Sequence, residues 1–244
     1  SYLTGAPVSA EIASRLPRTL TLGIASMVLA FGIGIPLGVT AAVHQNGWGD
    51  RISMIIALLG VSIPTFWLAM LMVLLFSLKL RWFPASGIGG WEYYVLPTVS
   101  LCFGGLATQA RQSRSSMLEV IRSDYVVTAR AKGLSQREVI FKHALPNAMN
   151  PIITLAGNNL AVIFGGSVVI ENVFSFPGIG QYMINAINQR DYPIVRGCVV
   201  MLAVVFAVIM LLVDLCYAFN DPRIKSRYVN TGKKKPAKAA KEQV

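Results

Sequence analysis

Residues 19–43 and 52–78 contain no Asp, Glu, Lys or Arg. A helix that crosses the roughly 30 Å hydrocarbon layer needs about 20 mostly apolar residues, and both runs are longer than that. Three further stretches qualify: 93–113, 150–171 and 195–219, the last interrupted by Asp214. The 244-residue chain is 54% hydrophobic and 14% charged, against about 25% charged residues in a soluble domain. These features predict an all-α, polytopic membrane protein with five spans. The equally uncharged 172–189 segment is broken by Pro177, Gly178, Gly180 and several Asn, and is expected to be a loop with a short helix.

Lys and Arg collect in cytoplasmic loops. Seven lie between Arg111 and Asn147 and eight after Asp221, whereas six are spread over Arg15, Arg18, Lys79, Arg81, Arg190 and Arg196. The 114–147 loop and the C-terminus are therefore expected inside. Five alternating spans then place residues 1–18 outside, as an interfacial segment with Val8, Ile12 and Leu16 on one helical face, and imply a further span upstream of Ser1. The basic tail 221–244, with one aromatic at Tyr228, is expected to be disordered and to favour anionic lipid over nucleic acid.

Residues 123–138, SDYVVTARAKGLSQRE, read as two helices. Ser123 is expected to cap the first, Asp124 suits its positive end, and Arg130 and Lys132 suit its last turn. Gly133 is a left-handed stop on which Leu134 packs back toward Ala129. Ser135 and Glu138 form a capping box, and the second helix is expected to end before Pro146. The small residues Thr128, Ala129 and Ala131 would let another protein approach this helix closely. A plain surface hairpin linking two spans is the alternative.

Gly133, followed twelve and thirteen residues later by Leu145 and Pro146, resembles the EAA-type signature of the membrane subunits of ATP-binding-cassette importers. The chain departs from it at Val127, Thr128 and His143, in the manner of the dipeptide/oligopeptide/nickel branch. Further blocks resemble that branch: GVSIPTFW at 60–67, FPASG at 83–87, ENVFSFPGIG at 171–180, RDYP at 190–193 and DLCYAFNDPR at 214–223. The resemblance implies a type I importer transmembrane fold whose usual first span precedes this sequence. It implies a permease subunit for peptides or similar small solutes, in the cytoplasmic membrane of a bacterium or archaeon. It also makes 124–132 the coupling helix to an ATPase, carried by Asp124, Thr128, Ala129, Arg130, Ala131, Lys132, Gly133 and Leu134, with Leu145 and Pro146 completing the signature.

Implied partners are a second homologous permease, two ATP-binding subunits that hold ATP and Mg, and an extracytoplasmic binding protein. The external loop, with Glu171, Phe174, Pro177, Gly178, Gly180, Asp191 and Tyr192, is by resemblance the binding protein's contact or a gate. Polar side chains at bilayer depth are costly, so Gln109, Asn158 and Asn159 either line the path or satisfy one another between helices. Gly34 and Gly38 form a GxxxG pair that packs within the subunit or against a partner. No GxxxxGK[ST], HExxH or GxSxG motif occurs, and three Cys and two His supply no metal-ligand spacing, so neither catalysis nor a cofactor is expected in this chain. The alternative is an ATP-independent secondary transporter or channel.

Overall fold

The computed structural model describes residues 1–220, without the side chains of 161, 214 and 216–220. The basic tail and the Asp214 side chain lie outside this description. Helices α1 (Val8–Val43), α2 (Trp48–Ser62), α3 (Thr65–Lys79) and α4 (Glu92–Ile121) are followed by the short α5 (Asp124–Ala131). The chain continues through α6 (Gln136–Val173), α7 (Ile179–Asn188) and α8 (Tyr192–Asn220).

Helices α1, α6 and α8 are long and apolar enough to cross a membrane, and α2 with α3 make a fourth candidate if the bent pair is one span. α4, expected as a span, is not apolar enough by the same measure. Its surroundings explain why: none of residues 92–110 is exposed, because α1, α2, α3 and α6 surround it. A helix sheathed in protein has no need of a lipid-compatible surface.

Two expected boundaries are absent. Residues 8–18 are the first turns of α1, which runs straight through Pro17 and Pro36; the hydroxyls of Thr21 and Thr40 donate to the carbonyls of those prolines at 2.8 Å. The second helix of the loop does not stop before Pro146. It passes through a wider π-helical stretch at Val139–Ala144 and continues as α6 to Val173. The π register lies directly before the proline, where a missing N–H would otherwise leave a carbonyl of an α-helical ladder unpaired.

Gly34 and Gly38 face α4 of the same chain. A Cβ at Gly34 would stand 2.8 Å from the Leu106 carbonyl oxygen, and one at Gly38 would stand 2.6 Å from the Ser113 Cβ. The GxxxG pair therefore closes the α1–α4 interface inside the subunit. A second close approach sets Gly60 of α2 on Ala107.

A hydrophobic core lies on either side of this waist. At one end Leu22, Leu96, Ile170, Phe174 and Phe176 cluster; at the other, Val39, Met117, Val126, Ala129, Ile140 and Ala144 do so. Gly38→Leu should wedge α1 from α4 and lower stability by about 3 kcal/mol. Gly32, whose Cβ would meet nothing within 4 Å, should accept Ala with a gain of about 1 kcal/mol. Thermal melting of the detergent-solubilised protein compares the two.

Candidate functional site

α5 is anchored by its own sequence pattern. Val126 and Ala129, three apart, turn inward into the core with Met117, Val139 and Ala144, while Asp124, Tyr125, Val127, Thr128, Arg130, Ala131 and Lys132 face outward. Ala129 is thus taken up by the chain itself and is not a surface for a partner. Ser123 also departs from expectation: its hydroxyl donates to the Val120 carbonyl at 2.6 Å, capping the end of α4 rather than the start of α5. Only Arg122 and Ser123 separate the two helices, and the carbonyl end of α4 claims the hydroxyl.

Gly133 has φ +80°, and its N–H donates to the Arg130 carbonyl at 3.0 Å. Leu134 remains 37% exposed rather than folding back into the core. The capping box is present: Ser135 Oγ accepts the Glu138 N–H and the Glu138 carboxylate accepts the Ser135 N–H, each at 3.3 Å. Leu145 is partly buried beside the same core, and Pro146 is exposed on α6. The result is a short exposed helix seated on a packed core through its inner face.

At the middle of the apolar 52–78 run, α2 and α3 meet at a 103° bend. Pro64 has no N–H to return to the Gly60 carbonyl. Among the described residues no backbone or side-chain hydrogen bond reaches the carbonyls of Gly60, Val61, Ser62 or Ile63. The bend borders a concavity of about 440 Å³ that also takes in Gly104, Thr108 and Asn159. The Thr108 hydroxyl lies 3.3 Å from Asn159 Oδ1, and Asn159 Nδ2 donates to Gln109 Oε1 at 3.4 Å. Gln109 in turn is fully buried and donates to the Ile152 carbonyl at 3.2 Å. So Asn159 borders the concavity and Gln109 braces it from behind, while Asn158 is exposed on α6 away from it.

The bundle's other large hollow is of a different kind. A groove of about 640 Å³ between α1, α6 and α8 is lined entirely by apolar residues or glycine, among them Leu20, Ile24, Phe31, Leu160, Val204 and Leu212.

Opposite α5, Glu171 is fully buried at the end of α6. Its Oε1 accepts the Thr19 hydroxyl at 2.7 Å; its Oε2 accepts the N–H groups of Gly180 and Gln181 at 2.7 and 3.2 Å. Thr19 Oγ1 accepts the Ile179 N–H at 2.9 Å, so the two side chains together cap the start of α7. A Cβ on Gly180 would stand 2.9 Å from the carboxylate, which is why small residues occur here.

Several residues expected to meet a binding protein are therefore internal. Glu171, Phe174, Gly178 and Gly180 are buried and Pro177 is half-buried, its carbonyl accepting from Arg18 at 3.2 Å. Asp191 is also buried, with the Ser1 hydroxyl and the N–H groups of Tyr2 and Leu3 directed at it; these bonds, the Ser1 hydroxyl first, hold its carboxyl below the usual range. Of that set Tyr192 alone is exposed, at 63%. Physically, a glycine-rich loop turns tightly because something inside it must be reached.

Residues 34–226 match the family described as binding-protein-dependent transport system inner membrane component. The chain belongs to that family. The permease is 42% identical over 225 residues to the glutathione transport system permease protein GsiC of Escherichia coli strain K12 and to that of Salmonella typhi, covering 92% of this chain and 74% of each relative. Its fold is similar to that of a chain of the MetNI methionine ABC transporter in inward-facing conformations, with a TM-score of 0.74, 21% identity and 89% of this chain and 100% of that one covered. An amino acid ABC transporter solved with histidines gives a TM-score of 0.63 at 16% identity, over 88% and 94% of the two chains. This is an ABC importer permease subunit of the cytoplasmic membrane, of the branch the sequence blocks resemble; the ATP-independent alternative is set aside.

The contact role of the loop rests on resemblance alone, which carries no information on burial; the Gly178 and Gly180 spacing is the signal that something packs against the turn. Glu171→Ala should free α7 and cost about 3 kcal/mol, whereas Glu171→Gln, which keeps an acceptor for the α7 N–H groups, should cost about 1 kcal/mol. Melting temperature and proteolytic nicking within 174–191 report both.

Proposed function

We propose that this permease forms half of an import path for peptides, with α5 on the cytoplasmic side as the helix that docks into an ATPase subunit. The observation that carries this reading is α5 itself: an exposed helix whose inner face is fixed in the core while Asp124, Val127, Thr128 and Ala131 remain outside. A helix held in that way passes on displacement instead of absorbing it. The partners are a second permease, two ATP-binding subunits that carry ATP and Mg, and an extracytoplasmic binding protein delivering substrate to the α7 side. The C-terminus is cytoplasmic, on the same side as α5.

The bend between α2 and α3 lines the path. An unpaired carbonyl costs several kcal/mol in hydrocarbon, so irregular backbone at membrane depth is tolerated only where it is buried in protein or lines a water-filled cavity. Val61, Ser62 and Pro64 are exposed, and on this reading they face the aqueous path. The all-apolar groove between α1, α6 and α8 faces lipid. Peptide as the substrate class follows from the glutathione named for the relatives, and the path's uncharged hydroxyl, amide and carbonyl groups suit a peptide main chain.

Gly133→Val tests the docking role without a steric clash, since a Cβ there meets nothing within 4 Å and only its φ of +80° is opposed. In the assembled transporter, ATP hydrolysis should persist while uptake per ATP falls about tenfold. Undiminished uptake per ATP would contradict the role given to α5.

A further inference from the structure

At the α5 end an ion pair between buried Asp50 and half-buried Arg114 joins the broken helix to the base of the docking helix. Asp50, in the first turn of α2, is 2% exposed, and both of its oxygens are engaged. Arg114 Nε donates to Oδ1 at 2.5 Å and Nη2 to Oδ2 at 2.7 Å, while the Asn46 N–H donates to Oδ2 at 2.9 Å. Such a two-pronged, charge-assisted contact fixes direction as well as distance.

Arg114 precedes Met117 by one turn on α4, and Met117 shares its core with Val126 and Ala129 of α5. The Ser123 hydroxyl ties the α4–α5 corner, and Arg122 Nη2 donates to Gln45 Oε1 at 3.3 Å in the turn that precedes α2. From Asp50 the helix runs without interruption to Ser62, about 18 Å at 1.5 Å per residue, and then breaks.

We infer that the Asp50–Arg114 pair is the joint through which displacement of α5 reaches the α2–α3 bend, which makes both of them positioning residues of the transport cycle. The inference rests on the reading of α5 as the ATPase-docking helix. Further along their contact, Gly60 of α2 stands against Ala107 and Phe103 of α4, an apolar contact with no charge pairing to fix its register. The ion pair resists both sliding and separation. With one partner removed, the other is an unpaired charge in a poorly hydrated site, and α2 loses its hold on α4. Motion of the base would then no longer be imposed on the bend.

The test uses the assembled transporter, with spin labels on cysteines placed at Ile56 of α2 and at Tyr125, an exposed α5 position outside the docking set, and compares the resting state with a vanadate-trapped nucleotide state. With the pair intact, the Ile56–Tyr125 distance should be the same in both states. In Asp50→Asn it should differ between states, and uptake of labelled glutathione per ATP should fall about tenfold while hydrolysis continues. Asp50→Glu, which retains the carboxylate, should restore most of the uptake. Should Asp50→Asn not assemble, Arg114→Lys, which keeps the charge without the fork, replaces it with the same expected outcome. A distance that already shifts with the pair intact, an assembled variant with unchanged uptake per ATP, or a proportional fall of hydrolysis and uptake would each overturn the inference. A parent transporter whose hydrolysis ignores its binding protein would instead count against the docking role of α5.

Discussion

The approach of α1 to α4 across Gly34 and Gly38 is the contact on which the rest of the bundle depends. Between helices in lipid there is little hydrophobic driving force, so association relies on close van der Waals packing. Backbone standing against backbone at Leu106, Ala110 and Arg114 supplies it. That contact draws α4 into the centre, and α4 then serves as the surface against which α2, α3 and α6 are arranged. It also separates the two cores. One holds α5 from above through Val126 and Ala129; the other holds the α6–α7 loop through Phe174 and Phe176.

A central α4 gives the bundle two unlike faces. The face built by α1, α6 and α8 is apolar throughout and asks nothing of lipid but contact. The face built by α2, α3, α4 and α6 carries a broken helix, a hydroxyl and an amide. The second is costly in hydrocarbon and inexpensive in water, which supports the proposed division of the two faces between the bilayer and the path. The same economy explains the Glu171 cap: a helix start turned into the protein must have its N–H groups satisfied, and a carboxylate with Thr19 does so for Ile179, Gly180 and Gln181.

Much of this was legible in the sequence because it depends on local rules. Charge-free runs marked the membrane helices, Gly133 marked a stop with positive φ, and Ser135 with Glu138 marked a helix start. What was not legible depended on neighbours distant in the chain. The ion pair joins positions 64 residues apart, and nothing local to Asp50 or Arg114 distinguishes them from other charges of that turn and loop. Ser123 looked like a cap for α5, yet the nearer carbonyl of α4 took its hydroxyl. Pro146 misled, since helix continuation there is carried by a π-helical stretch and by packing rather than decided by propensity. Pro64 behaved as a breaker because no such compensation reaches the Gly60 carbonyl.

The proposed mechanism has at its core a path wall that changes its surroundings with nucleotide state. The direct measurement is the reaction rate of a membrane-impermeant thiol reagent with Ser62→Cys in the assembled transporter, with its native cysteines replaced, and with Leu212→Cys as the lipid-facing comparison. Ser62→Cys should react from the aqueous phase, at a rate that changes when nucleotide is trapped, and Leu212→Cys should stay unreactive in both states. A Ser62→Cys that never reacts, or one whose rate is indifferent to nucleotide, would contradict the assignment of the broken helix to the path.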